Sequence, residues 1–290
     1  MSDFVIVTDS AADLPLALVQ ELDLTVVPLR FTFGETTYED HPDRRDMAIE
    51  AFYDRLRKGE MATTSAINVG DYQEALRPIL ESGRDVLLLV FTSALSTTYQ
   101  SAMIATEELK EEFPERKIMV VDTLAASLGQ GLLVWYAANM KKEGKSLEEI
   151  RDWVEENKLH MLHWVAVDDL YHLKRGGRVS ATTAVVGSML AIKPIIHVDN
   201  EGRLINVGKV RGRGPSLNHI ADKVLELAEP KQDQMVFIVH SDCLEEAQKV
   251  GEKLKAAGLA KDVVYNFIGP VIGAHTGPGT IAIFAMGTER

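Results

Sequence analysis

A disulfide framework is excluded at once, because the 290 residues contain a single cysteine, Cys243. One thiol fits a reducing cytoplasm, where the chain is expected to reside. No stretch reaches 18 apolar residues without a charge, so the sequence offers no membrane span. The opening, MSDFVIVTDS, carries Asp3 and no basic n-region and does not read as a signal peptide. Basic residues are outnumbered 31 to 43, a net charge of −12. That balance argues against non-specific nucleic-acid binding, which needs clustered Lys and Arg. The eight histidines are scattered, with no H-x-x-x-H or H-E-x-x-H pair, so no metal site is expected. His160 and His163 fall in a strand-like run and read as ordinary core or surface residues. There is no G-x-x-x-x-G-K-S/T loop, and no G-x-G-x-x-G follows the first strand, so no nucleotide cofactor is expected either.

What remains has the composition of an ordinary globular protein, 46% apolar and 26% charged, long enough for two domains or one large one. FVIVTDS (4–10), DVLLLVF (85–91) and KIMVVD (117–122) are near-continuous apolar runs, as in strands covered on both faces. TVVPLRFTF (25–33) is also extended. Helical spacing marks 14–24, 47–59, 69–83, 96–113, 127–144 and 146–157; Pro78 marks a kink or boundary, and Ser146 with Glu149 forms a capping box. This β/α alternation predicts a parallel sheet flanked by helices. After residue 160 the pattern changes. HMLHWVAV (160–167) reads as a strand, 168–177 as a short helix stopped by Gly176, and TTAVVGSMLA (182–191) as an apolar helix. IKPIIHVDNEGRLINVGKV (192–210) is a hairpin about Asn200-Glu201-Gly202. A helix near 215–229, the strand MVFIVH, a helix at 243–257 and the strands DVVYNFIG and TIAIFAMG complete a mixed or antiparallel α+β domain. The expected division is 1–160 and 161–290.

Ligands of parallel α/β sheets bind beyond the carboxyl ends of the strands. Hydroxyls and carboxylates gather there: Thr8-Asp9-Ser10, Thr92 through Thr98, Asp122-Thr123, and Thr63-Thr64-Ser65 ahead of a helix. Each reads singly as a helix N-cap. Together they make an anion site, since hydroxyls join free N–H groups at helix starts. GPVIGAHTGPGT (269–280) sets His275 among glycines, a residue used where the backbone must take φ > 0 or approach something closely. Ser93 with His275 as base would make a serine hydrolase or acyltransferase, although TSALS is not the G-x-S-x-G elbow. KVRGRG (209–214) and LKRGGRVS (173–180) are the only basic clusters, either glycine turns with solvated Arg, anion contacts or a patch for an acidic partner.

TDSAADLP, TTSA, FTSALSTTYQSA, VDTLAASLGQG, VDDLYHLKRGGRVS, IKPIIHVDNEGRL, KVRGRG and GPVIGAHTGPGTIAIFAMG occur in an order that resembles the DegV family along the whole chain. That family includes the fatty-acid-binding B subunits of bacterial fatty acid kinase. The resemblance implies a two-domain α/β protein holding one long-chain fatty acid between its domains. A separate ATP-dependent kinase subunit would phosphorylate the carboxylate, and the acyl phosphate would enter phospholipid synthesis. The chain would do no chemistry alone. Matched motif by motif, the carboxylate would be held by Thr64, Ser65, Ser93 and Ser96, with His275 and Arg211 beside it. Thr97 stands where the family usually has Gly, and Ala66-Ile67-Asn68 replaces a Gln-Pro-type pair. Residues 182–191 and 160–167 would wall the tail. Lys174, Arg175, Arg178, Arg211 and Arg213 would help to dock the kinase, with room for transient membrane contact. Another amphiphilic anion is the remaining ligand class.

Overall fold

The computed structural model describes residues 3–168, 170–179 and 191–290. In chain order the first half contains β1 (Phe4–Asp9), α1 (Leu16–Glu21), β2 (Thr25–Val27), β3 (Arg30–Phe33), β4 (Thr36–Glu39), α2 (Ile49–Arg57), β5 (Ala62–Ser65), α3 (Val69–Glu81), β6 (Asp85–Val90), α4 (Thr98–Glu112), β7 (Ile118–Asp122), α5 (Leu128–Lys142) and α6 (Leu147–Asn157). The second half contains β8 (Met161–Ala166), α7 (Tyr171–Arg175), β9 (Ile192–Val198), β10 (Leu204–Arg211), α8 (Arg213–Leu227), β11 (Gln234–His240), α9 (Leu244–Ala256), β12 (Ala260–Phe267), α10 (Pro270–Thr276) and β13 (Ile281–Met286). The apolar helix expected at 182–191 lies, apart from Ala191, outside the described residues.

The class is α/β, as the alternation predicts. Sheet one is parallel, in the order β2-β1-β6-β7. Every residue of β1 and β6 is buried, which is why these strands read as unbroken apolar runs. Sheet two is mixed, in the order β10-β9-β8-β13-β11-β12, and only β11 and β12 run parallel. The two sheets draw their strands from either side of residue 160.

A third sheet, β4-β3-β5, was not foreseen. TVVPLRFTF is two strands in two sheets, parted at Pro28, which has no N–H to give to a ladder. Thr36–Glu39 is too short to register as a strand by pattern, and Gly34 turns the chain into it at φ 58°. Thr64 and Ser65 therefore stand on β5 and are not helix caps; Asn68 caps α3, with Asp71 completing a capping box. Pro78 lies within the last turns of α3 and does not end it.

Alternating residues of the sheets face different layers. Val5, Val7, Leu88 and Val90 pack under α3 and α4. Ile6 and Leu89 share a core with Leu132 and Leu133 of α5 and with Phe237 and Phe284 of sheet two. Trp164, Ile238 and Ile283 face away, under α8 and α9. The order of layers is thus helices, sheet, α5, sheet, helices. The two halves share the central core through α5, and the hairpin tip reaches back across it: Thr92 Oγ1 donates to the Gly202 carbonyl at 3.1 Å.

Candidate functional site

Beyond the N-terminus of α5 the middle layer opens into a cavity of about 520 Å³. That is within the ~300–1,000 Å³ typical of small-molecule sites. One wall is the α5-facing side of sheet two, and strand register orders it. Val165 pairs with Ala282 on one side and Ile196 on the other, forming a middle level. His163, paired with Phe284, is one step deeper on the same face, about 7 Å along the strand. Val167 is one step higher, and Thr280 and His275 also line the cavity. Val198, Leu204, Ala126 and Ser127 complete the deep end.

The rim is polar: Thr64, Ser65, Ser93, Ser96, Thr97, Arg178 and His275. Ser65 and Thr97 are solvent-exposed, so the cavity opens here. The hydroxyls come from the end of β5 and from the turns after β6, the carboxyl-end position that open parallel sheets favour. Five of the six residues expected to bind ligand share this rim. Thr64 Oγ1 and His275 Nε2 are 2.8 Å apart. Ser93 donates its backbone N–H to Asp122 Oδ1 at 3.2 Å, and its hydroxyl has no partner among the described residues. Ser96 Oγ lies 2.8 Å from Thr98 Oγ1.

Arg211 is the exception. It is exposed on β10, the edge strand of sheet two, and does not line the cavity. Arg178 takes that place. Its guanidinium donates to the carbonyls of Leu95 (3.3 Å) and Gly176, and no carboxylate pairs with it among the described residues. The reading of the sequence set Arg178 aside for docking. No local signal separates it from Arg211, since both stand beside glycines; the structure shows what Gly176, two residues earlier, is for. A Cβ there would lie 2.1 Å from His275 Nδ1, so a glycine is needed for this segment to reach the rim.

His275 is not in a glycine loop. It occupies the last turn of α10, whose Gly273 fits against Tyr53 of α2, where a Cβ would meet the phenol oxygen at 2.7 Å. Burial, then the charges of Arg178, Arg175 and His172, pushes its imidazole down to about 4, so it is neutral at pH 7. Its Nδ1 has no partner among the described residues. A hydrolytic dyad is not assembled: Ser93 and His275 share no hydrogen bond, and no carboxylate among the described residues orients the imidazole. His163 is likewise neutral, held well below its usual range by burial, with Nδ1 2.9 Å from the Met161 carbonyl.

Among the described residues no three His, Cys, Asp or Glu side chains converge as a metal site would require, and no helix is long and apolar enough to cross a membrane. Arg213 does not stand free for docking: it pairs with Glu246 at 2.7 Å and lies 3.5 Å from Asp168. Lys174 is exposed, and Arg175 lies over the Tyr171 ring at 5.4 Å.

Known proteins are similar to this chain in sequence and in fold. A DegV domain-containing protein of Clostridium perfringens is 47% identical over all of this chain and 99% of its own length. A fatty-acid-binding DegV family protein from Thermus thermophilus superposes with a TM-score of 0.88 at 32% identity, covering 99% of this chain and 100% of that one. A stearic-acid-binding protein from Eubacterium ventriosum also gives 0.88, at 26% identity over 98% of each chain. The model of the DegV family matches residues 3–288. Matched by that model over almost its whole length and sharing its fold with these proteins, the chain belongs to the DegV family.

Proposed function

We propose that the chain binds one long-chain fatty acid, carboxylate at the rim and acyl chain against the inner wall of sheet two. It would then present the carboxylate to a separate ATP-dependent kinase subunit that makes the acyl phosphate. In this reading residues 1–160 and 161–290 act as two units with the ligand between them. The observation that carries it is Arg178, a cation without a carboxylate partner among the described residues, at the mouth of a largely apolar cavity. A carboxylate leaving water needs charge-assisted donors. Arg178 and the hydroxyls of Thr64 and Ser93 are positioned to supply them. The tail supplies most of the driving force: about fifteen methylenes at ~0.8 kcal/mol each give roughly 12 kcal/mol before ordering costs. The fatty-acid-binding relatives support the same ligand class.

The test is native mass spectrometry of the purified protein, followed by extraction and lipid analysis. About one fatty acid per chain is expected. Protein that takes up no palmitate after delipidation and reloading sinks the proposal, and a different extracted anion redirects it.

The kinase partnership rests on the family resemblance and on the basic residues Lys174, Arg175 and Arg211, of which Lys174 and Arg211 are exposed. The protein alone is expected neither to cleave acyl esters nor to consume ATP. Lys174→Glu should slow phosphorylation by the partner, more so at low salt, and spare palmitate binding. If rate and salt dependence are unchanged, these cations only face solvent.

A further inference from the structure

Ser127 lines the deep end of the cavity at φ 53°, ψ −146°, a backbone conformation that glycine tolerates and a side-chain-bearing residue rarely adopts. It precedes α5 yet does not cap it. Its hydroxyl instead donates to Asp13 Oδ2 at 2.5 Å, and both residues are buried. Asp13 is itself left-handed, at φ 51°. Its other oxygen accepts the backbone N–H of Gly269 at 2.9 Å, and its carbonyl accepts from Asn266 Nδ2 at 2.7 Å. Gly269 immediately precedes α10, whose last turn carries His275, 2.8 Å from Thr64. The junction is close-packed. A Cβ on Gly269 would lie 2.5 Å from Asp13 Oδ1, and one on Gly131 of α5 would lie 2.8 Å from the Ala12 carbonyl.

Two strained residues, one on the cavity wall and one bonded to the start of the helix that ends at the rim, need a reason to persist. Strain of this kind costs on the order of 1–3 kcal/mol per residue and survives where the surroundings over-determine it. A serine capping α5 in an ordinary extended conformation would be the cheaper solution. We infer that Ser127 and Asp13 are positioning residues for the His275–Thr64 pair, tying the deep end of the cavity to its mouth through α10. The inference rests on the fatty-acid reading of the cavity. It adds that the affinity of the head-group end depends on a bond made about the length of α10 away.

The experiment is a double-mutant cycle. Ser127→Gly and Asp13→Asn are made alone and with His275→Ala, palmitate affinity is measured by calorimetric titration, and each ligand-free protein is melted. Glycine is at home at the Ser127 dihedrals, so Ser127→Gly should melt within a few degrees of wild type while binding palmitate about five- to tenfold more weakly. That loss should vanish once His275 is already Ala. Asp13→Asn keeps the volume but cannot accept from both Ser127 and Gly269, and should behave alike. The imidazole nitrogen signals of His275 in NMR should shift in both single variants. Losses that simply add to that of His275→Ala, or unchanged affinity with unchanged imidazole signals, overturn the inference and leave the fatty-acid reading standing. Wild-type protein that binds no palmitate removes both.

Discussion

Replacing Arg178 with Gln tests the head-group site most directly. The guanidinium is half-buried at the rim and, among the described residues, bonded only to carbonyls, so the ligand-free protein gives up little when it is removed. With a carboxylate bound it loses a hydrogen bond to a charged group, about 1.5–3 kcal/mol. A central value of about 2 kcal/mol is roughly thirtyfold in Kd. At a palmitate concentration 100 times the wild-type Kd, ligand stabilises wild type by about 2.7 kcal/mol and Arg178→Gln by about 0.9 kcal/mol. For a chain of this size that is a rise in Tm of roughly 5–10 °C against roughly 2–4 °C. The assay is paired thermal melts with and without palmitate, checked by titration. Methyl palmitate is the control: it keeps the tail and lacks the charge, so both proteins should bind it alike. If Arg178→Gln shows the wild-type rise with palmitate, or loses the ester equally, the arginine is not a carboxylate ligand and the anion reading of the rim fails.

His275→Ala should weaken palmitate binding about ten- to hundredfold and leave the ligand-free fold intact, and equal titrations would show the histidine to be a bystander. The same residue sets a pH dependence: its folded value of about 4 lies below the ordinary 6.5, so its contribution is present above pH 6.5 and lost as pH falls through 4. Denaturant unfolding of wild type against His275→Gln should converge as pH drops from 7 to 4, and parallel curves would refute the assignment. Gly176→Ala drives a methyl into His275 Nδ1, so it should lower the melting temperature and palmitate affinity, with His275→Ala restoring the melting temperature; no rescue would mean the clash is relieved elsewhere. Asp9 is pushed up to about 7 by burial above all, so its contribution is complete below pH 4 and is lost as pH rises through 7. Asp9→Asn should therefore gain stability relative to wild type between pH 4 and 8, and a flat difference would show that the carboxyl ionises freely.

Most of the fold is legible because its strands are buried on one or both faces, and that burial writes itself into the sequence as apolar runs and helical spacing. What escapes is short or mixed in chemistry. β4 has four residues, two of them exposed, and β5 is the hydroxyl-rich ATTS, which looks like a cap because strand pairing with β3 is invisible in the local pattern. α10 escapes because glycine is a poor helix former. Gly273 is helical because Tyr53 needs the space where a side chain would be, a tertiary requirement that overrides propensity. The rim hydroxyls were legible from the family motifs and from their place after strands. The arginine was not, because two basic clusters beside glycines look alike until the fold puts β10 at an edge and the turn after α7 on the cavity.

Net charge raises an apparent contradiction, since a chain at −12 is proposed to bind an anion. Charge acts over distance, and at physiological ionic strength surface charges more than ~8 Å away are largely screened. What a carboxylate meets at the rim is local. Arg178 lines the cavity there, Arg175 and His172 add to burial and Arg178 in lowering the His275 imidazole, and none of the rim residues themselves is acidic. The positive potential that, after burial, disfavours a proton on His275 is the same potential that would favour an incoming carboxylate. A bound carboxylate in turn would cancel part of it and raise the imidazole. Palmitate binding should therefore be accompanied by an upward shift in the His275 titration followed by NMR. Methyl palmitate should leave that titration where it is. A titration that palmitate does not move would place the carboxylate elsewhere than beside this histidine.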